Sequence, residues 1–371
     1  MAQNPYPLII GVSLLLGFLA GVIMHRADFC VVCAFRNFFL FGNTFLLRCL
    51  ALLIVATMAL FEIARQLGLI SLYPFPLLGP PSAANVAGGF LFGIGMVLAG
   101  GCVVGTLYKM GSGSFLSFLA FLGLISGSAL YAEIHPWWSS LAAATTFFRG
   151  SSTIPQLLAV DPLWVTGVLL LCSVAAFARW ARSGALQRRS PATGYLQPWQ
   201  ASLFLACLGT LSYIIVGMPF GVTTAYTKMG AFLEQLVAPG HVERLDYFSA
   251  VPLDYTLPFS GVRLTGGGGP HFDAVAAIQF PLIAGVIGGG ACSALLVGEF
   301  RVYPHVPYRQ GVSAVVGGMI MGMASRMAPA CSVWHLFGGL PVLAWQSILF
   351  LLGLVPGAFV GSRLLARIVV R

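Results

Sequence analysis

Charge is what this chain has least of. Of its 371 residues only 8% are Asp, Glu, Lys or Arg, while 58% are hydrophobic and the mean hydropathy is +0.92. A water-soluble domain keeps about a quarter of its residues charged, so that class is excluded and an integral membrane protein remains. Alternation of apolar and polar residues at every second position is also missing, because runs such as "LIIGVSLLLGFLAGVIM" are continuous. A membrane β-barrel needs that alternation, and the spans are therefore read as α-helices. Neither a basic region nor a small-residue cleavage site accompanies the first run, so "MAQNPYPLII" opens a retained helix rather than a signal peptide.

Acidic residues are scarce relative to basic ones, ten against nineteen, which leaves a net charge of +9. The basic residues cluster beside apolar runs. Arg179, Arg182, Arg188 and Arg189 fall in "ARWARSGALQRRS", and Arg363, Arg367 and Arg371 in the closing "SRLLARIVVR". That is the pattern of cytoplasmic loops, and it accounts for the charge without nucleic acid. About nine runs are long enough for the hydrocarbon layer, starting near Pro7, Thr44, Ala84, Phe115, Pro155, Trp199, Ala276, Gly311 and Pro341. Counting back from the basic loops places the N-terminus outside and the C-terminus in the cytoplasm. The expected fold is an all-α polytopic membrane protein with one transport domain over 1–371. Its halves cover approximately 1–180 and 195–371, around a basic cytoplasmic linker, 179–198.

The three stretches expected outside, 71–83, 134–154 and 236–275, contain no cysteine, so the eight cysteines do not form a disulfide framework. Cys49, Cys172, Cys207 and Cys292 lie within spans among Leu, Ala and Val and read as small hydrophobes. The others adjoin helix breakers or charge, in "MHRADFCVVCAFR", "LAGGCVVGTLYKMGSGS" and "SRMAPACSVWHLFGG". Alignment of Cys102 with Cys331 matches Gly88 to Gly317, Gly89 to Gly318, Gly93 to Gly322 and Ala99 to Ala328. The span before Cys102 runs inward and the span before Cys331 outward, so the repeat is inverted. Broken helices at matching points of an inverted repeat belong to transport pathways, because unwound backbone in lipid needs a buried or polar-lined site.

Carboxylates are nearly absent from these motifs. Only Asp28 adjoins one, while Glu62 and Glu133 read as solitary residues at span ends. A cation pathway presents carboxylates, so a metal transporter using His25, Asp28, Cys30, Cys33 and His335 is disfavoured and no metal or cofactor is expected. An anion is the better cargo: Arg26, Lys109 and Arg326 supply charge, and His25 and His335 read as packing or hydrogen-bonding residues. A rival from another class is a membrane thiol oxidoreductase with Cys30 and Cys33 as a C-x-x-C pair. It leaves Cys102 and Cys331 without a near partner, and no haem or quinone signature accompanies it.

The motifs "HRADFC", "AGGC…G.LYK.GSG" and "GM.SRMAPAC" resemble, in order and spacing, the three cysteine motifs of the YeeE/YedE thiosulfate-uptake family. The resemblance implies a non-enzymatic importer in a bacterial inner membrane, with about nine spanning helices plus short re-entrant helices in a pseudo-twofold inverted arrangement. It further implies that thiosulfate passes inward from Cys331 to Cys102 to Cys30. Thiosulfate is a dianion with a soft terminal sulfur, and weak S–H donors suit a soft acceptor that must also be released. This sequence departs from the motifs at Cys33, an additional thiol, at Lys109, where relatives often carry arginine, and at Pro329 and Ser332. A selenium compound or another sulfur oxyanion is therefore the alternative cargo. Expected partners are the anion, membrane lipid and a separate cytoplasmic sulfur-carrier protein.

Overall fold

The computed structural model describes residues 5–70, 72–148, 150–188, 193–257 and 261–369. Arg189 and Arg371, two of the cations used to orient the chain, lie outside the described residues. The first third contains α1 (Tyr6–Ala27), α2 (Val31–Phe41), α3 (Phe45–Gln66), α4 (Ala83–Leu98), α5 (Val103–Gly111) and α6 (Phe115–Ala144). A short α7 (Ile154–Leu158) and a peripheral α8 (Pro162–Arg182) follow, then α9 (Pro198–Val216) and α10 (Thr223–Val237). Between α10 and α13 (Ala274–Val297) lie α11 (Pro239–Val242), α12 (Asp246–Ser249) and an antiparallel hairpin, β1 (Leu253–Thr256) with β2 (Arg263–Gly266), in which Leu253 pairs with Gly266. The chain closes with α14 (Tyr308–Met327), a π-helical segment Trp334–Gly339, and α15 (Trp345–Leu364) extended by a second π-helical segment, Leu365–Val369.

Local sequence explains where the long helices begin. The side chains of Ser114, Asp161 and Asp273 accept the early backbone N–H groups of α6, α8 and α13, and proline opens α8 and α9. Among the described residues, eight stretches are long and apolar enough to cross a membrane, which makes the chain a multi-pass α-helical membrane protein. Helix α14 is not one of them. It is 20 residues long, but Arg309, Gln310 and Arg326 lower its hydropathy, although it packs between α4 and α6 at the centre of the bundle.

Several boundaries differ from expectation. The fifth span begins at Pro162 rather than near Pro155, because Thr153 caps a separate turn, α7. Helix α6 continues ten residues past Ile134 to Ala144, and the stretch expected outside from Leu236 begins inside α10. Glu62 and Glu133 are not solitary either. Glu62 accepts from Arg65 at 2.7 Å and Glu133 pairs with His241 at 2.6 Å. Hydropathy ends a span at a charge, but a paired charge permits the helix to go on.

The packing exchanges partners between the two halves of the chain. Helix α4 lies on α15 as α14 lies on α6, and α1 lies on α13 as α9 lies on α3, while α4 and α14 pack on each other. Small residues make these contacts close, as helix association in lipid requires. A methyl group at Gly88 would fall 2.6 Å from the Ala328 nitrogen, and one at Gly317 would strike the Ala99 nitrogen. Gly93 sits in the same way against α15 at Ala358, and Gly322 against α6 at Ser128. The residues matched by the cysteine alignment thus occupy reciprocal contacts, as a twofold relation demands.

Candidate functional site: four broken helices around three thiols

Four helices break inside the bundle and restart after a few residues. Helix α1 ends at Asp28, which takes a left-handed conformation with φ of 49°, and Cys30, extended, caps α2. Helix α4 ends at Ala99 and Cys102 caps α5, its sulfur accepting from the Gly105 N–H at 3.3 Å. Helix α14 ends at Ala328, and Cys331 precedes the turn whose His335 N–H returns to the Cys331 carbonyl. The fourth break, between α9 and α10, was not anticipated. It runs from Gly217, with φ of 81°, to Val222, which caps α10 without a thiol. The signal was present in "GMPFGVTTAYTKMG", whose Gly217, Pro219 and Gly221 interrupt a span.

Three of the four breaks are supported by side chains that satisfy the backbone groups a helix end leaves free. Ser313 donates to the Leu98 carbonyl at 2.9 Å, Lys109 to that of Gly100 at 3.0 Å, and Trp138 to that of Met327 at 2.9 Å. Ser212 donates to Met218 at 2.8 Å, Tyr255 to Val216 at 2.5 Å, and Gln279 accepts the Ala225 N–H at 2.8 Å. The unwound backbone is therefore built into the protein core rather than left to lipid. Ala330, beside Cys331, holds φ of 118°, a region that favours glycine, whereas before Cys102 the positive φ, 71°, falls on Gly100.

The restarting helices bring the thiols together. Cys30, Cys102 and Cys331 are each at most 2% exposed. The Cys30 sulfur lies close to those of Cys102 and Cys33, and Cys331 is within electrostatic range of Cys102. Cys102 is thus the central member of the row. The Cys331 sulfur lies against the N–H groups of Val333 and Trp334. A helix N-terminus presents free N–H groups and positive potential, and here one thiol sits at each of three such ends. Between the breaks, Met24, Val104, Val222, Val333 and Phe337 line part of a cavity of about 20 Å³ with a wholly apolar wall.

The cations divide between two environments. Lys109 lies within electrostatic range of Cys30, Cys33 and Cys102, and Arg326 within range of Cys331. The Arg326 guanidinium donates to Thr224 at 3.1 Å and to Thr223, in the first turn of α10, while its Nε has no partner among the described residues. Arg26 instead directs its donors to Ser293 at 2.9 Å and to the Gly194 carbonyl of the linker at 2.6 Å. His25 shares Ser293, at 2.9 Å. His335 bonds Ser347 at 2.9 Å through Nδ1 and stacks on Phe350, while its buried Nε2 has no partner among the described residues.

The remaining cysteines lie elsewhere. Cys49 is buried in α3, Cys172 and Cys207 are exposed on the outside of the bundle, and Cys292 is half-buried. Among the described residues, the ligand atoms that converge as a metal site would need are those of Glu133, Glu234 and His241, well apart in sequence from His25, Asp28, Cys30 and Cys33.

Half-helices that meet end-on inside a closed helical bundle define a multi-pass membrane transport protein. The chain belongs to the Sulphur transport family, which it matches over residues 26–360. It is 27% identical over 360 residues to the thiosulfate transporter TsuA of Spirochaeta thermophila, covering 92% of this chain and 96% of that protein. It is 24% identical over 371 residues to the thiosulfate transporter TsuA of Escherichia coli, covering 94% and 93%. The probable transporter YedE of Escherichia coli is similar over 175 residues at 29% identity, covering 47% of this chain and 41% of that protein.

Proposed function

We propose that this protein imports thiosulfate across a bacterial inner membrane, with the N-terminus outside and the C-terminus in the cytoplasm. The anion passes from Cys331 through Cys102 to Cys30, held at each step by S–H hydrogen bonds and released without covalent change. The observation that carries this reading is the row itself: three buried thiols at three half-helix N-termini, with Cys102 close to Cys30 and within electrostatic range of Cys331. The two relatives that match nearly the full length, both named thiosulfate transporters, support the cargo.

The chemistry fits both ends of the anion. Moving a dianion into a low-dielectric core is prohibitive unless charge and donors replace its water. Arg326 and Lys109 bring charge to the two ends of the row, N-terminal N–H groups bring donors, and neutral thiols meet the soft sulfur with bonds weak enough to break. A membrane potential of about 100 mV, negative inside, opposes two negative charges by roughly 4.6 kcal/mol. Import is accordingly drawn by consumption of thiosulfate inside or by a coupled cation, and a separate cytoplasmic sulfur carrier is the fitting acceptor. The two halves, 1–180 and 195–371, form one transport domain about the α4–α14 contact.

The test is uptake of labelled thiosulfate into cells lacking other sulfur importers, competed with sulfate, sulfite and selenite. Expression of the chain should confer saturable uptake that unlabelled thiosulfate suppresses and sulfate does not. Equal competition by sulfate would defeat the soft-sulfur reading, and stronger competition by selenite would assign the chain to selenium.

A further inference from the structure

The thiols account for the soft end of such an anion but leave its sulfonate oxygens without neutral donors inside the row. Two tyrosines stand where those donors are needed. Tyr226, on the first turns of α10, is 0% exposed, and Tyr108, on α5, is 2% exposed. Neither hydroxyl has a protein hydrogen-bond partner among the described residues. Tyr226 lies within electrostatic range of Cys331 and Cys102, and Tyr108 within range of Cys30, Cys33 and Cys102 as well as Asp28. One buried hydroxyl is thus associated with the outer pair of thiols and the other with the inner ones.

Packing alone does not explain these phenols. The Tyr226 ring is set edge-on against Phe121 at 5.5 Å, and the Tyr108 ring edge-on to His25 at 6.5 Å. Phenylalanine would fill both places without burying a hydroxyl, and an unsatisfied buried hydroxyl is destabilising. Elsewhere in the bundle buried tyrosine hydroxyls are satisfied: Tyr213 donates to the Leu72 carbonyl and Tyr255 to that of Val216. Among the described residues, the two buried tyrosine hydroxyls without a partner are those within electrostatic range of the thiols.

We propose that the Tyr226 and Tyr108 hydroxyls are a second row of donors, for the hard oxygens of a sulfur oxyanion whose soft sulfur the cysteines hold. This assignment rests on the thiosulfate reading above and deepens it. The pathway then selects cargo by both ends. A bare sulfide lacks the oxygens for the tyrosines, and sulfate lacks the soft sulfur for the thiols. Arg326, with its own unpartnered Nε near the outer thiol, adds charge to the same oxygen side.

The experiment is the concentration dependence of labelled thiosulfate uptake for Tyr226→Phe and Tyr108→Phe, which keep the rings and remove the oxygens. Tyr213→Phe, which loses a hydroxyl bonded to backbone, is the control. With membrane levels matched, each pathway variant should raise the half-saturating concentration about fivefold, the worth of one neutral hydrogen bond, and Tyr213→Phe should leave it unchanged. Thiosulfate binding to the purified full chain provides the same comparison if uptake is too weak to fit. Unchanged half-saturation in both pathway variants, or an equal shift in the control, would overturn the assignment. Absence of thiosulfate uptake by the unaltered chain would instead defeat the reading beneath it.

Discussion

Cys30 and Cys102 cap two different half-helices, α2 and α5, yet their sulfurs lie on the same side of Gly105, close to one another. The space that permits this is at Gly105, one turn into α5. A methyl group there would stand 2.9 Å from the Cys30 sulfur and 3.2 Å from that of Cys102. A carbon and a sulfur in ordinary contact need more than either distance, so no larger residue fits without displacing a thiol.

Gly105→Ala should therefore break the inner step while leaving every cysteine in place. Alanine is the better helix former, so the substitution does not weaken α5 itself. We expect thiosulfate uptake to fall at least tenfold with normal membrane insertion. Uptake within twofold of the unaltered chain would mean that Cys30 and Cys102 need not lie side by side.

The row also separates the cysteines into two groups. Cys331→Ala, Cys102→Ala and Cys30→Ala should each abolish or strongly reduce uptake. Cys49→Ala, Cys172→Ala and Cys207→Ala should not, because those side chains are buried in α3 or exposed on the outside of the bundle. Serine at the three row positions should also be poor, since it keeps a donor but loses the soft one. Equal tolerance of alanine in both groups, read by labelled thiosulfate uptake at matched expression, would remove the distinction.

Much of this arrangement was legible in the sequence, and the parts that were not share a cause. Continuous apolar runs revealed the helical class, and the breaks at Cys102 and Cys331 showed through their repeated glycines, because close helix contact and unwound turns both select small residues. The fourth break was missed because Val222 stands where the others carry a thiol, so nothing chemical marked Gly217, Pro219 and Gly221. Helix α14 falls short in hydropathy through Arg326, two of whose guanidinium nitrogens are held by Thr223 and Thr224 about a hundred positions earlier. Glu133 looked solitary for the same reason, since its partner His241 comes 108 residues later. Patterns within one segment do not reveal a partner supplied by another.

Cys33 tests the rival oxidoreductase chemistry. Its sulfur contacts Cys30 one helical turn away, the arrangement a C-x-x-C pair would use. A dithiol enzyme needs both sulfurs, whereas a transport row needs only Cys30. Cys33→Ala should retain at least half of the thiosulfate uptake. Loss comparable to Cys30→Ala, together with a thiol-oxidising activity that disappears in both variants, would favour the enzyme.

Arg326 gives the two halves of the bundle different electrostatics. Its counterpart in the cysteine alignment is Val97, and the first residues of α10, Thr223 and Thr224, follow Val222 as Val31 and Val32 follow Cys30. One half therefore holds an arginine with two hydroxyl partners, and the other holds three valines, each at most 1% exposed. Only the Cys331 half can attract a dianion by charge at this position, and there capture should occur. Arg326 is itself 9% exposed, so water screens it little, and its removal should be felt. Arg326→Gln should raise the half-saturating concentration at least fivefold, or about 1 kcal/mol. Arg326→Lys should fall between, because it keeps the charge and loses the fork that reaches two threonines at once. Thr223→Val should weaken uptake less than Arg326→Gln, since it loosens the guanidinium without deleting it. An unaltered concentration dependence in Arg326→Gln, at normal membrane levels, would make this arginine a packing residue and move the capture step elsewhere.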